Sequence, residues 1–299
     1  MFAEAEPTVL IPDPGVEVRT LRPEDVGALR LGLHHRVGAR EVRETLRRLP
    51  GRSVWSPDSR EFALLAPWRH RSEIAVVQVL AAVRSAEWLL AGVVERCRAA
   101  GDALVLLIEL DEVRHPRFYR RAGFDPLEDV VTLELARPSP ALPSEDEVAF
   151  LRFDPANEAM LASLVAVDHA AFPWLWRNSE LEFRTYAMTP GVEVYLGLRA
   201  GEPVAYLGFT VYAGWGHLDR IAVVPTRQGM GLGGSALRFA VGTLARRGAR
   251  RVALSTQADN LRSRRLYGAR LAGPALQLGP GSAALATGSD IISAIGEQA

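Results

Sequence analysis

Lysine is missing altogether. All thirty-five basic residues are arginine, so the chain offers no lysine amine of its own for modification. Cysteine is almost as scarce: Cys97 stands alone, which excludes an intramolecular disulfide and a thiolate zinc cluster. Charge of one sign is lacking too. Thirty-five acids balance the arginines, so the positive surplus that drives nucleic-acid or membrane-surface binding is not there. No apolar run approaches the roughly 20 residues of a membrane-spanning helix. The six histidines are scattered, with only His34 and His35 adjacent, and no metal-ligand spacing results. Met1–Pro14 is acidic and contains proline, without the basic-then-apolar order of an export signal. Together these absences lead us to expect a soluble cytoplasmic protein with no metal, nucleic acid or membrane among its partners.

What is present is an ordinary globular composition, 48% apolar and 23% charged over 299 residues. That length suggests two domains rather than one core. The clearest interruption is Arg137-Pro138-Ser139-Pro140-Ala141-Leu142-Pro143-Ser144-Glu145-Asp146-Glu147, where prolines and an acidic cluster block regular structure. It divides the chain into residues 1–138, a linker at 139–146, and residues 147–299. The halves resemble each other. Glu73-Ile74-Ala75-Val76-Val77-Gln78 matches Arg220-Ile221-Ala222-Val223-Val224-Pro225. At nearly the same offset Ser85–Ala100 and Gly233–Gly248 read as helices, Leu104–Leu110 and Val252–Gln257 as strands, and Phe118-Tyr119 falls where Leu266-Tyr267 falls. Four aligned features argue for duplication. Each half reads as mixed α/β. In the first, Val16–Leu21 alternates like a strand. In the second, strands are expected over Glu147–Arg152, Val192–Leu198, Pro203–Tyr212 and Gly216–Val224, with helices over Asn157–His169 and Ser179–Met188.

The strongest chemical signal is Val223-Val224-Pro225-Thr226-Arg227-Gln228-Gly229-Met230-Gly231-Leu232-Gly233-Gly234. A strand ends, a glycine-rich turn follows, and a helix starts, which lets backbone amides crowd an anion at a helix N-terminus. Gly229 to Gly234 satisfies G-x-G-x-x-G, yet it does not directly follow the strand, and no acid sits about 20 residues on for a ribose. A P-loop is excluded because no Gly-Lys-Ser/Thr follows. A mere glycine turn stays open.

Gln228-x-x-Gly231-x-Gly233 after Ile-Ala-Val-x-Pro also resembles the acyl-CoA pyrophosphate loop of the GCN5-related N-acetyltransferase (GNAT) superfamily. The likeness extends to the strand Val252-Ala253-Leu254-Ser255, to Asn260 opening the next helix and to Tyr267, covering most of residues 147–270. Phe118-Tyr119-Arg120-Arg121-Ala122-Gly123-Phe124 is similar to the family's F-Y-x-x-x-G-F signature, and a tandem pair resembles the architecture of mycothiol synthase. The resemblance implies two tandem GNAT-like domains, each a mixed central β-sheet flanked by helices. It also implies acetyl-CoA as cosubstrate, without a metal.

At the positions matching Gln228, Gly231 and Gly233 the first half carries Leu80, Val83 and Ser85, and Glu112 replaces the asparagine. We therefore read residues 1–138 as a degenerate copy and residues 147–299 as the half with the acetyl-CoA site. The cofactor-binding residues implied are Ile221, Ala222, Val223, Gln228, Gly229, Met230, Gly231, Leu232, Gly233, Gly234 and Asn260. Main-chain N–H groups of Ile221–Val223 would face the thioester, and Tyr267 would be the general acid. The base is open. His217 stands where a mycothiol-synthase-like enzyme carries its glutamate, and Asp219 is the other candidate. By alternation His217, Asp219, Ile221 and Val223 share one strand face.

The expected activity is transfer of an acetyl group to a primary amine of a small molecule or a peptide N-terminus, by a monomer or homodimer. Phe172-Pro173-Trp174 is similar to a segment of ribosomal-protein N-terminal acetyltransferases. A non-catalytic acyl-CoA sensor and an aminoacyl transferase using charged tRNA are the alternatives. After Tyr267 the family's x-x-x-G-F is absent, and Gly273–Ala299 is poor in the β-branched residues its closing strands would need.

Overall fold

The computed structural model describes residues 16–31, 37–110, 116–140, 148–271 and 276–287. His34, His35, Glu112 and most of the proline-rich linker lie outside the described residues. The first repeat runs β1 (Arg19–Thr20), a 3₁₀ turn at Pro23–Ala28, α1 (Ala39–Arg48), β2 (Val54–Ser56), β3 (Glu61–Trp68), β4 (Arg71–Ala81), α2 (Ala86–Ala99), β5 (Leu104–Leu110), α3 (Pro116–Arg121) and β6 (Asp125–Ala136). The second runs β7 (Ala149–Arg152), α4 (Glu158–Ala171), a 3₁₀ turn at Trp174–Trp176, α5 (Glu180–Ala187), β8 (Val192–Arg199), β9 (Glu202–Tyr212), β10 (Trp215–Val223), α6 (Leu232–Arg246), β11 (Arg251–Gln257), α7 (Leu261–Leu271) and β12 (Leu276–Thr287). Both repeats thus carry the same order of strands around one long helix. No helix among the described residues is long and apolar enough to cross a membrane.

Two compact units form, and they do not divide where the proline-rich segment does. Among the described residues, unit 1 runs from 16 to 129 and takes in 282–287, and unit 2 runs from 130 to 281. Each unit takes its last strand from the other repeat. In unit 1, β1 to β4 are antiparallel neighbours, β4 and β5 are parallel, and Ser282–Thr287 of β12 adds antiparallel to β5. In unit 2, β7 to β10 are antiparallel neighbours, β10 and β11 are parallel, and Val130–Ala136 of β6 adds antiparallel to β11.

Local chemistry explains the element ends in unit 2. Asn157 Oδ1 accepts from Met160 N–H at 3.0 Å and Ser179 Oγ from Glu182 N–H at 3.0 Å, capping α4 and α5. Ala200 and Gly201, both at positive φ, turn β8 into β9. The sheet is covered on both faces. Leu207, Phe209, Leu218 and Leu254 pack beneath Leu237 and Leu244 of α6. On the other face Val194, Tyr206 and Ala222 pack against Leu161 and Leu164 of α4 and Phe183 of α5. Loss of one such leucine to alanine costs about 2–5 kcal/mol.

Candidate active site

The site begins where β10 and β11 part. Their parallel pairing covers Trp215–Leu218 against Arg251–Leu254. Beyond that both remain extended, β10 on β9 as far as Val223 and β11 on β6 as far as Gln257. The main chain from Ile221 onward therefore has no β11 partner in the register. Unit 1 parts at the same point: Ile74–Val77 pair with Leu104–Leu107, and beyond them β4 runs on β3 to Ala81 while β5 runs on β12 to Leu110. A one-residue bulge follows the paired stretch there too, at Gln78 as at Asp219. By register Ile74–Val77 therefore match Trp215–Leu218, where the sequence alignment puts them at Ile221–Val224.

Past Val223 a 3₁₀ turn at Pro225–Arg227 leads into the glycine loop. Gly229 and Gly231 have φ of 81° and 83°, the left-handed region that costs an L-residue about 1–2 kcal/mol. A Cβ on either would meet nothing within 4 Å, so the glycines serve the turn and leave open space above it. Gly231 caps α6, with Ser235 N–H on its carbonyl at 3.1 Å. The amides of Leu232, Gly233 and Gly234 thus precede the first intrahelical donor and concentrate the positive end of the helix dipole. Gln228 ties the loop down: its Nε2 donates to the Val223 carbonyl at 2.9 Å, and its Oε1 accepts from Arg262 Nη1.

These parts enclose a cavity of about 340 Å³. Ile221 and Val223 line it from the strand, Gln228, Gly229, Gly231, Gly233 and Gly234 from the loop, and Arg262, Ser263, Leu266 and Tyr267 from α7. The other cofactor-binding candidates lie off the lining. The Ala222 side chain is buried on the α4 face, Leu232 packs with Val204 and Ala205, and Met230 is exposed. Asn260 Oδ1 accepts from Ser263 N–H at 3.0 Å and so starts α7, the helix that carries Tyr267. Tyr267 is only 8% exposed. Burial raises its phenol pKa above the ordinary value, and a hydrogen bond with the Ser263 side chain works against that rise.

His217 and Asp219 do not share a face with Ile221 and Val223, contrary to the alternation. The β9–β10 register shifts between Leu218 and Arg220, which leaves Asp219 as an extra, bulged residue. Its carboxylate reaches the hydroxyls of Tyr186 on α5 and Thr210 on β9, and His217 Nδ1 lies 2.6 Å away. Ile221 and Val223 instead face α7 and the cavity. One strand therefore serves both sides of the sheet at the point where it parts from its neighbour.

Next to the bulge, Arg220 turns to α4. Its Nη2 donates to Asp168 Oδ2 at 2.9 Å and to the Trp176 carbonyl at 2.7 Å, and its guanidinium lies 3.9 Å from the centroid of the Phe172 ring. Asp168 is fully buried, and its other oxygen accepts from Asn178 N–H at 2.7 Å. This buried ion pair fixes the Phe172–Asn178 segment, which contains the Phe-Pro-Trp sequence, against β10.

In unit 1 the helix start tells a different story. Counted from the α2 cap, Ser85 stands where Gly231 stands, two positions off the sequence alignment, and Glu87 and Trp88 replace Gly233 and Gly234. The loop amides are already taken. Glu61 Oε1 accepts from Val83 N–H at 3.1 Å and Arg84 N–H at 3.3 Å, and Oε2 from Ser85 N–H at 2.7 Å. Burial opposes the Glu61 charge, and these backbone donors outweigh it, so its pKa falls below the usual carboxylate value. Tyr119 is buried in the hydrophobic core.

Sequence reading missed Arg262, Ser263, Tyr186 and Thr210. Arg262 and Ser263 were within reach of it, because they lie one helical turn before Leu266 and Tyr267. Nothing local marks Tyr186 or Thr210.

Residues 161–273 match the model of the acetyltransferase (GNAT) family. No curated protein sequence matches the chain. Among solved structures, a GCN5-related N-acetyltransferase from Sphaerobacter thermophilus is 17% identical over 91% of this chain and 95% of that one, with a TM-score of 0.57. A tandem GNAT protein from the clavulanic acid biosynthesis pathway is 13% identical over 91% and 98%, TM-score 0.59. A probable N-acyltransferase from Enterococcus faecalis is 12% identical over 91% and 72%, TM-score 0.61. At such identities the likeness is one of fold. The chain carries a domain of the GNAT acetyltransferase family over residues 161–273, within a tandem GNAT-like α/β fold.

Proposed function

We propose that unit 2 transfers an acetyl group from acetyl-CoA to a primary amine of a small molecule or a peptide N-terminus, and that unit 1 is the degenerate copy. One observation carries this reading: an anion-binding helix end, a parted strand edge and a buried phenol converge on a single cavity. The fit to coenzyme A rests on the loop. Two linked phosphates suit the amides of Gly229–Gly234 and the Arg262 guanidinium, and each hydrogen bond to a charged group contributes about 1.5–3 kcal/mol. Neither loop glycine places an atom over those amides.

When bound, acetyl-CoA supplies the thioester to be cleaved. The chain supplies the rest. Val224 N–H bonds to Val204 of β9 and the Val223 carbonyl accepts from Gln228, so by alternation the N–H groups of Ile221 and Val223 face away from β9 as donors for developing negative charge on a carbonyl oxygen. Tyr267 keeps its proton at neutral pH because burial disfavours the phenolate, so it can donate to a departing thiolate. An alkyl amine arrives as an ammonium with a pKa of about 10 and must shed a proton first. His217, whose side chain is 43% exposed on the far face of β10, is our choice for that base.

The test is release of free thiol from acetyl-CoA across a panel of primary amines, with calorimetry of CoA binding beside it. Acetylation of at least one amine supports the reading. Tight CoA binding with no thiol release from any amine would point to the non-catalytic sensor. A Gly231→Glu variant with full activity would make the phosphate loop dispensable and point to the tRNA-dependent alternative.

A further inference from the structure

We infer that Asp219 is a positioning residue for His217, clamped by Tyr186 and Thr210 so that the imidazole presents an unprotonated Nε2; this rests on the transferase reading above. The groups come from three elements. Asp219 sits at the β10 bulge, which frees its carboxylate from the regular ladder. Oδ2 accepts from Thr210 Oγ1 at 2.7 Å and from the Tyr186 hydroxyl. Thr210 is the register partner of His217, so the sheet itself delivers that hydroxyl. Tyr186 reaches the carboxylate only because residue 208 is glycine: a Cβ there would stand 2.8 Å from Tyr186 Cε1 and 3.0 Å from its oxygen.

The tautomer follows from the donor count. A carboxylate only accepts, and two hydroxyls already donate to Oδ2. Oδ1, 2.6 Å from His217 Nδ1, then requires a proton on Nδ1, and in the neutral ring, which has one proton only, the Nε2 lone pair is available. The neighbouring charges leave this arrangement alone. Arg220 is committed to Asp168 at 2.9 Å. Arg251 of β11 is paired with Glu134 of β6 at 3.1 Å and lies 5.3 Å from the Trp215 ring centroid. The β11 partner of His217 is the uncharged Ala253.

The measurement is ¹⁵N spectroscopy of the full chain labelled at histidine, with His217→Gln assigning the ring. A neutral ring protonated at Nδ1, moving toward the Nε2–H form in Asp219→Asn, is expected. A wild-type ring protonated at Nε2 would overturn the assignment. In the thiol-release assay, with the most reactive amine of the panel, Asp219→Asn should lower kcat about 100-fold. Its KM for acetyl-CoA should stay within threefold, because Asp219 is off the cavity. Tyr186→Phe and Gly208→Ala should each lower kcat about tenfold or more, because the lost hydrogen bond is to a charged carboxylate, and they carry the test should Asp219→Asn not fold. An Asp219→Asn kcat within threefold of wild type, beside an inactive His217→Gln, would also overturn the positioning role. Should no amine be acetylated, the transferase reading falls while the tautomer still decides the clamp.

Discussion

Two glycines bracket α6, and comparing their alanine variants separates backbone cost from ligand cost. Gly231 precedes the helix at φ 83°, and Gly248 follows it at φ 87°; a Cβ on either meets nothing within 4 Å. Alanine in the left-handed region costs about 1–2 kcal/mol wherever it occurs. Gly231→Ala and Gly248→Ala should therefore destabilise the protein about equally, lowering Tm by roughly 2–8 °C in a domain of this size. Only Gly231 lines the cavity. There the added methyl projects into the open space of the cavity, where it competes with a phosphate and should remove one or two charge-assisted hydrogen bonds. At about 1.5–3 kcal/mol each, CoA affinity should drop at least about tenfold, since 1.4 kcal/mol is a factor of ten. Differential scanning fluorimetry reads the first effect and titration calorimetry with CoA the second. Equal CoA affinities in the two variants, at equal Tm, would refute phosphate binding at this loop.

Tyr267→Phe should lower turnover about 100-fold while CoA affinity changes less than threefold; equal losses in both would remove the general-acid role. Because burial raises the Tyr267 phenol, kcat of the wild type should show no alkaline limb from this group below about pH 10. Asp168→Ala should cost about 3–5 kcal/mol in urea unfolding, since it strands the Arg220 guanidinium in the interior; a loss under 1 kcal/mol would contradict a structural ion pair. Glu61→Gln should cost about 1 kcal/mol, the worth of a helix cap. The lowered Glu61 pKa means its contribution is present above the unfolded value of about 4.3 and fades as pH falls through the folded one. Thermal melts of wild type and variant should therefore approach each other as the pH is lowered past the unfolded value. Both proteins should bind one CoA per chain, and a stoichiometry of two would contradict the degenerate copy.

The glycine loop, Asn260 and Tyr267 were legible because each makes a local demand that only certain residues meet: positive φ, a cap acceptor, a phenol on a fixed helical turn. The duplication was legible because both repeats keep the same order of strands and helices at nearly one offset, although the hexapeptide match is out of register: Ile74–Val77 occupy the ladder positions of Trp215–Leu218. Elsewhere the information is not local. Strand alternation carries no mark of the extra residue at Asp219, so His217 was placed on the cavity face when it lies on the other. Asp168 and Arg220 pair across 52 positions, and neither looks unusual alone. β12 is rich in Gly, Ala and Ser, yet its ladder to β5 holds it extended; pairing overrides propensity in a sheet. That ladder also explains why the compact units depart from the chain midpoint.

The two repeats hold nearly the same framework: in both the parallel strands pair over four residues and part at a one-residue bulge, after Leu218 and after Val77. Their difference in chemistry comes down to the helix start. In unit 2 the loop amides face an open cavity and the first helical turn is small. In unit 1 Glu61 satisfies the loop amides, and Glu87 and Trp88 fill the turn. The Glu61 interaction is informative about the other site. A helix end with orphan donors recruits an anion, and in unit 1 the chain provides its own carboxylate at 2.7–3.3 Å from three consecutive amides. By ladder register the residue of unit 2 that matches Glu61 is Ala205, whose methyl offers no acceptor, and Glu202, three residues earlier, pairs with Arg227 at 3.3 Å. The amides at Gly229–Gly234 thus lack the carboxylate that unit 1 supplies, and an external anion is what remains to satisfy them.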